Sequence, residues 1–319
     1  MMKKITALFT ALLTAVLFSG CGNYNLKKSD RLSVVCTVFP IYDWTREIAG
    51  DTADITLLLE NGTDMHSYQP SADDFIKIAS ADILIYIGGE SDKWVKEACL
   101  RSPNRDRTEI NLIDLLGTDA ISEEHEEEHH GNHEEEYDEH IWLSLKNAAK
   151  LTDKISEIFC EKDADNKEIY VKNAGLYIKE LHELDKEYEN ASEKASLKFL
   201  VFADRFPFAY LLRDYGIAYT AAFPGCSAET EASFETVTRL AKKADETGTR
   251  YIFTTESPQP LVAETVIKNT ESKNQRILSL DSMQSVTKKR IDGGETYLSI
   301  AKNNLINFKK GLDNDGNAS

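Results

Sequence analysis

The sequence predicts an α/β protein of two parallel-sheet lobes joined by one long rigid helix, and three observations carry that expectation. Short apolar runs rich in β-branched residues recur in both halves of the chain. Such runs are the pattern of strands buried on both faces. Helical patterns separate them, which favours a parallel sheet covered on both sides. Between the halves, residues 165–193 keep a helical apolar spacing with charges between and no proline.

In chain order, RLSVVCTVF, ADITLLLE and ADILIYIGG read as the strands of the first lobe. IYDWTREIAG reads as a helix closed by Gly50. SADDFIKIA reads as another, with Ser71 and Asp74 at the spacing of an N-cap and its reciprocal partner. Asp165 and Glu168 form a similar start to the linking helix, and Ile169, Ala174, Tyr177, Ile178, Leu181, Leu184 and Tyr188 give it an apolar stripe. At 1.5 Å per residue it spans ~40 Å, the size of a domain. SLKFLVFAD, GTRYIFTTES and NQRILSLDS read as strands of the second lobe. FAYLLRDYGI, FETVTRLAKKADET, PLVAETVIKNT and YLSIAKNNLINFKKGL read as its helices. The expected organisation is a signal peptide over 1–20, a tether over 21–30, a first lobe over 31–164, the linking helix over 165–193 and a second lobe over 194–319. A disordered His/Glu-rich loop is expected over 121–137 of the first lobe.

At 319 residues the chain is long enough for two domains, and its 41% hydrophobic content is that of a globular protein. A net charge of -17 argues against nucleic acid, whose phosphates it repels, and is compatible with cationic ligands. The compartment is read from the N-terminus. Two lysines precede the fourteen-residue apolar run ITALFTALLTAVLF, too short to span a bilayer and matching a signal-peptide core. SGC follows, so Cys21 reads as the lipid-bearing first residue of a bacterial lipoprotein, although Phe18 stands where that signal prefers leucine. Among Cys36, Cys99, Cys160 and Cys226 there is no C-x-x-C spacing, and Cys36 and Cys160 read as small core residues. Trp44, Trp94 and Trp142 read as core, and His182 as part of a solvated helix face.

The chemistry lies in the histidines. In HEEEHHGNHEEEYDEHIWLS, residues 125–144, His125, His129, His130 and His133 sit among Glu, Gly and Asn with no apolar residue. His125–His129 satisfies H-E-x-x-H, but zinc proteases need that motif on a buried helix. The tract therefore reads as a solvated loop able to capture metal loosely. His140 differs, because Ile141, Trp142 and Leu143 follow it and anchor it where the chain re-enters the core. His66, in ENGTDMHSYQP, follows a strand, with Asp64 two residues before it. In parallel sheets ligands collect at the carboxyl ends of strands. The segments there are Thr37–Pro40, Glu60–His66, Gly88–Glu90, Asp204 and Arg205, Thr254–Ser257 and Asp281.

Taken together, GTDMHSYQPSADD and DEHIWLS resemble the D-P-H-x-Y-x-P and D-P-H-I-W segments of the metal-binding lipoproteins of zinc and manganese ABC importers. FADRFPFAYLLRDYGI, FPGCSAETEAS, ESPQPLVAETV and LDSMQS are similar to that family's second lobe, in the same order. The resemblance covers nearly the whole chain after the signal. The His/acid-rich loop before the second histidine resembles the zinc-specific members. It implies the cluster A-I fold, with a metal ion held between two α/β lobes. Carried over by position, the metal ligands are His66 and His140 from the first lobe, then Asp281 in the LDS segment. At the family's third position this chain has Arg205, and a guanidinium cannot ligate a cation. Asp204 beside it is the replacement expected, with Glu229 and Glu231 as alternatives. The proline that precedes each site histidine in the family is replaced here by Met65 and Glu139.

Two imidazoles and carboxylates suit Zn²⁺, while Mn²⁺ accepts the same atoms with more oxygen. Such a site loses affinity as pH falls through the ordinary imidazole range near ~6.5. The leading expectation is a monomeric, lipid-anchored extracytoplasmic protein that captures Zn²⁺ and delivers it to a membrane permease. The chain has no phosphate-binding G-x-x-x-x-G-K-[ST] loop, so a separate ATPase must supply energy. An extracellular zinc hydrolase with Glu139 as general base is one alternative. A surface adhesin with a structural metal is another.

Overall fold

Each half of the chain folds its apolar runs into a four-stranded, all-parallel sheet. The computed structural model describes residues 31–313, apart from positions 61, 103, 123–136, 224, 226–231 and 257–258. The first lobe runs β1 (Leu32–Cys36), α1 (Phe39–Ala49), β2 (Ala53–Leu57), α2 (Ala72–Ser80), β3 (Ile83–Tyr86), α3 (Lys93–Arg101), β4 (Thr108–Asn111) and α4 (Leu112–Leu116). Two helices follow, α5 (Leu145–Lys162) and α6 (Lys167–Glu193). The second lobe runs β5 (Phe199–Phe202), α7 (Ala209–Asp214), β6 (Ala218–Ala221), α8 (Phe234–Thr247), β7 (Tyr251–Thr254), α9 (Leu261–Asn269), β8 (Arg276–Ser279), α10 (Lys288–Asp292) and α11 (Tyr297–Leu312).

The sheet orders are β2-β1-β3-β4 and β6-β5-β7-β8, the same topology twice. In each, the winding reverses beside the central strand, and crevices at such switch points receive ligands. The apolar runs supply three of the four strands in each sheet. The fourth strands, β4 and β6, carry no such run; each is four residues long and mostly half-buried or exposed. An edge strand of that kind has little hydrophobic signature for a sequence to show.

The expected linking helix is present as α6, 27 residues long. Its start differs from the expected capping box. A short 3₁₀ turn, Ala164–Asn166, leads into it, and no side chain caps it. Tyr170, Ala174, Tyr177, Leu181, Leu184 and Tyr188 form its buried stripe, spaced alternately four and three residues apart, while Ile169 faces out. Each large apolar side chain buried there stabilises by about 1.5–3 kcal/mol. The helix touches both lobes. Asn173 Nδ2 donates to Ile48 O of α1 at 3.1 Å, and Tyr188 OH donates to Ala301 O of α11 at 2.7 Å. Tyr188 also stacks on Tyr215, ring centroids 5.2 Å apart.

One apolar core runs through the first lobe, α6 and one face of the second sheet; a smaller one fills that sheet's other face, under α8 and α9. Trp44 and Trp142 are fully buried, and Trp94 packs partly buried against the core. Cys36 is buried as expected, and burial pushes its thiol up to about 12. Cys160 departs from the expectation: it is only partly buried, near the end of α5. His182 is exposed on α6.

Candidate metal centre

His66 lies in a single 3₁₀ turn, Met65–Ser67, after β2. Met65 is buried and pins the turn to the core. Asp64 caps it, accepting from His66 N at 3.0 Å through Oδ1. Its other oxygen, Oδ2, accepts from Arg205 Nη1 at 2.6 Å, across the seam between the lobes. Burial raises the Asp64 carboxyl, but the hydrogen bonds from His66 N and Arg205 outweigh it and hold the group below the usual range.

His140 is built by the same device. Asp138, two residues before it, accepts from His140 N at 2.8 Å. Here the same Oδ1 also meets the ring, 2.7 Å from Nδ1. A carboxylate only accepts, so Nδ1 carries the proton and Nε2 carries the lone pair. This is the arrangement that presents an imidazole to a metal. His140 is 2% exposed, and the turn Ile141–Leu143 that follows is buried with it. The strip is stapled to the second lobe: Trp142 Nε1 donates to Ser282 O at 2.9 Å, Tyr297 OH to Trp142 O at 2.5 Å, and Tyr210 OH to Asp138 O at 2.9 Å.

These two segments bring the His66 and His140 rings to a centroid distance of 5.5 Å, inclined at 51°. Beside them lies the loop after β3. Ser91 Oγ is 2.8 Å from His66 Nδ1, and Ser91 holds both oxygens of Glu139.

Across the seam, Asp281 follows β8, one residue before the Ser282 that Trp142 reaches. Its Oδ2 accepts from Arg290 Nη2 at 2.6 Å and its Oδ1 from Met283 N at 2.8 Å. Glu256, after β7, accepts from Ser282 N at 2.8 Å and Ser282 Oγ at 2.7 Å. Burial raises the Glu256 carboxyl, and the neighbouring charge of Asp281 raises it further. A bound cation would relieve that repulsion.

The four expected ligands therefore fare differently. His66 and His140 are brought together. Asp281 lies at the seam, paired with Arg290. Asp204 is turned to its own lobe, where Oδ2 accepts from Thr255 N at 3.1 Å and Thr255 Oγ1 at 2.8 Å, tying the end of β5 to the end of β7. Among the described residues, no group of three or more His, Cys, Asp or Glu side chains is arranged to hold a metal ion. Cys21, His125, His129, His130, His133, Cys226, Glu229 and Glu231 lie outside the described residues. Sequence reasoning did not find Ser91 or Asp138, and it placed Glu256 only within the strand-end segment Thr254–Ser257. Asp138 repeats the D-x-H spacing of Asp64 and His66, a signal that was there to be read; Ser91 has none.

Two parallel-sheet lobes, a long linking helix and paired imidazoles on the seam define a two-lobed, helix-linked α/β protein. The family described as ZnuA, zinc-uptake complex component A, periplasmic, matches residues 34–311, and the chain belongs to that family. It is 33% identical to the zinc-binding lipoprotein AdcA of Streptococcus pneumoniae, over 99% of this chain and 62% of that one. The chain thus spans about six-tenths of AdcA's length. It is 32% identical to the high-affinity zinc uptake system protein ZnuA of Bacillus subtilis, over 98% of this chain and 99% of that one. The crystal structure of the Zn(II)-bound ZnuA-like domain of S. pneumoniae AdcA superposes with a TM-score of 0.72 at 30% identity, covering 89% of this chain and 99% of that one.

Proposed function

We propose that this protein is an extracytoplasmic binding protein that captures Zn²⁺ on the seam between its lobes and delivers it to an ABC permease powered by a separate ATPase. The observation that carries this reading is the His66–His140 pair, two imidazoles from separate loops held 5.5 Å apart at the switch-point edge of the first sheet. Membership of a zinc-uptake family and relatives named for zinc binding support the choice of metal. Mn²⁺ is the second candidate, because the second lobe offers oxygen.

In this reading Nε2 of His140 and an imidazole nitrogen of His66 bind the ion first. Asp281 completes the site from the second lobe, exchanging Arg290 for the metal. Glu256 stands beside it as a further oxygen. Asp204 has both oxygens in use within its lobe and takes part only if Thr255 releases it. Cys21 anchors the chain by lipid, the tract around His125–His133 is accessory, and the protein works as a monomer. Binding is favoured over hydrolysis because Glu139, the general base that the hydrolase alternative names, has both oxygens bound to Ser91. A structural metal in an adhesin is disfavoured by the two apolar cores, which give each lobe an interior without a metal.

The test is isothermal titration of metal-stripped protein with Zn²⁺ and Mn²⁺, comparing wild type, a deletion of 123–136, His66→Ala and His140→Ala. One tight zinc site that survives the deletion and is lost in both alanine variants is the expected result. Tight binding that disappears with the deletion instead would place the site in the tract and overturn this reading.

A further inference from the structure

We infer that Glu139 is a positioning residue for His66, acting through Ser91, and that the relay Glu139–Ser91–His66 sets which imidazole nitrogen faces the metal. The inference rests on the metal site proposed above and adds two residues to it. It follows from counting hydrogens. Ser91 N donates to Glu139 Oε1 at 2.6 Å, and Ser91 Oγ lies 2.6 Å from Glu139 Oε2. These are the short bonds that a carboxylate accepts from N–H and O–H donors. Ser91 has a single hydroxyl hydrogen, and a carboxylate cannot supply one, so that hydrogen points to Glu139. At its 2.8 Å contact with His66 Nδ1, Ser91 Oγ can therefore only accept. The proton is on Nδ1, and the lone pair is on Nε2.

The position of Glu139 agrees. Its Oε2 is 3.5 Å from Nδ1, the same nitrogen that Ser91 Oγ meets, so Glu139 stands at the protonated nitrogen and is not itself a ligand in this arrangement. The pocket is shaped for it. A Cβ on Gly89 would stand 2.2 Å from Glu139 Oε1 and 2.4 Å from its Cγ, so only glycine leaves room for this carboxylate. Glu139 is buried at 6% exposure, where a carboxylate needs partners such as these.

The relay also answers a need particular to this chain. Asp138 serves both the backbone N–H and the ring of His140. Asp64 Oδ1 meets the backbone N–H of His66 but not its ring, and Arg205 holds the carboxylate by its other oxygen. The ring of His66 is thus oriented from elsewhere, and Glu139, standing where the resembling family has proline, supplies the carboxylate through Ser91.

The experiment is ¹⁵N–¹H correlation of the imidazoles in metal-free protein at about pH 8, together with zinc titration, for wild type, Glu139→Gln and Ser91→Ala. His66 signals are assigned by their loss in His66→Ala. Wild type should show His66 protonated on Nδ1. In Glu139→Gln the amide oxygen keeps Ser91 N, its NH₂ faces Ser91 Oγ, and the hydroxyl must turn and donate to Nδ1. The proton then moves to Nε2, and zinc affinity falls by roughly 10–100-fold, the usual scale for partners behind a metal ligand. Ser91→Ala should give a mixture of tautomers and an intermediate loss. His140, held by Asp138, is the internal control and should keep its tautomer in both variants. Should Glu139→Gln fail to fold, Ser91→Ala carries the test. An unchanged His66 tautomer in a folded variant overturns the relay, whatever zinc does. Wild type that shows the expected tautomer but binds no zinc overturns the proposed function and leaves the relay standing.

Discussion

Replacing Asp92 by asparagine should stabilise the metal-free protein near neutral pH and remove much of its pH dependence. Asp92 sits beside the site, one residue after Ser91, and is buried at 6% exposure. One of its oxygens, Oδ2, accepts from Ile87 N at 2.6 Å, Gly88 N at 3.4 Å and Thr37 Oγ1 at 3.4 Å. Burial raises its pKa from 3.8 to about 7, and the charge of Glu139 adds to this against the opposing hydrogen bonds. The sign follows from linkage. An acid whose folded pKa is raised contributes fully below its unfolded value and loses that contribution as pH rises through the folded one. The interval from 3.8 to about 7 corresponds to on the order of 4 kcal/mol. The asparagine amide keeps an oxygen for the same three donors and has no charge to develop. Urea unfolding at steps from pH 4 to 8 measures the difference. Wild type should lose stability across this window. Asp92→Asn should lose less, retaining the slope due to Asp43, which burial raises to about 6. Asp64 acts in the other direction and in another window, since its lowered pKa gives stability that is lost only as pH falls below about 4. If Asp92→Asn shows the wild-type slope between pH 6 and 8, or wild type gains stability there, the burial argument is wrong.

Arg205→His should tighten zinc binding by roughly tenfold or more, because it restores a nitrogen donor where the chain now carries a guanidinium. It should change stability by less than about 1 kcal/mol, since both partners of the Asp64 pair are about 30% exposed; competition titration and thermal melting read the two effects. Gly89→Ala should displace Glu139, whose Oε1 lies 2.2 Å from the added carbon, and weaken zinc binding together with stability. A variant with wild-type affinity would mean that the loop yields without moving Glu139. Trp142→Phe removes the 2.9 Å bond to Ser282 O and leaves a buried carbonyl unpaired, at a cost of about 1–3 kcal/mol in denaturant unfolding.

Much of the fold was legible because burial writes itself into composition. LSVVC, ILIY and FLVF are apolar on both faces and form central strands. The capping box at Ser71 and Asp74 is a local rule, and it is present in the fold. TEIN and AYTA pair at sheet edges, where half the side chains face solvent, and gave no such signal. The start of α6 differs from expectation because Asp163, not Asp165, organises it, accepting from Asn166 Nδ2 and Tyr170 OH. At the candidate site, the burial of His140 was legible from the core residues that follow it. What lay beyond reach was pairing between distant segments. Nothing local to DMHS or GESDK shows that Arg205 will take Asp64, or that Ser91 will stand between His66 and Glu139.

Those long-range pairings make the chain's departures from the resembling pattern into one connected change. Arg205, where the resembling family has its third ligand, would be an unpaired cation beside the proposed cation site. It finds Asp64, and the bridge ties the turn that carries His66 to the second lobe. With Oδ2 held by Arg205, Asp64 Oδ1 meets the backbone N–H of His66 but not its ring, whereas Asp138 Oδ1 meets both in His140. Glu139 and Ser91 supply that function from the other side, and Gly89 makes the space. A single reversal should therefore behave worse than a combined one. Glu139→Pro alone leaves His66 without its acceptor chain, whereas Arg205→His frees Asp64 to turn toward it. If these positions form one network, affinity losses and gains at Arg205 and Glu139 will not add in a double-mutant cycle. If the two changes add within measurement error, Arg205 and Glu139 are independent, and the site tolerates each on its own.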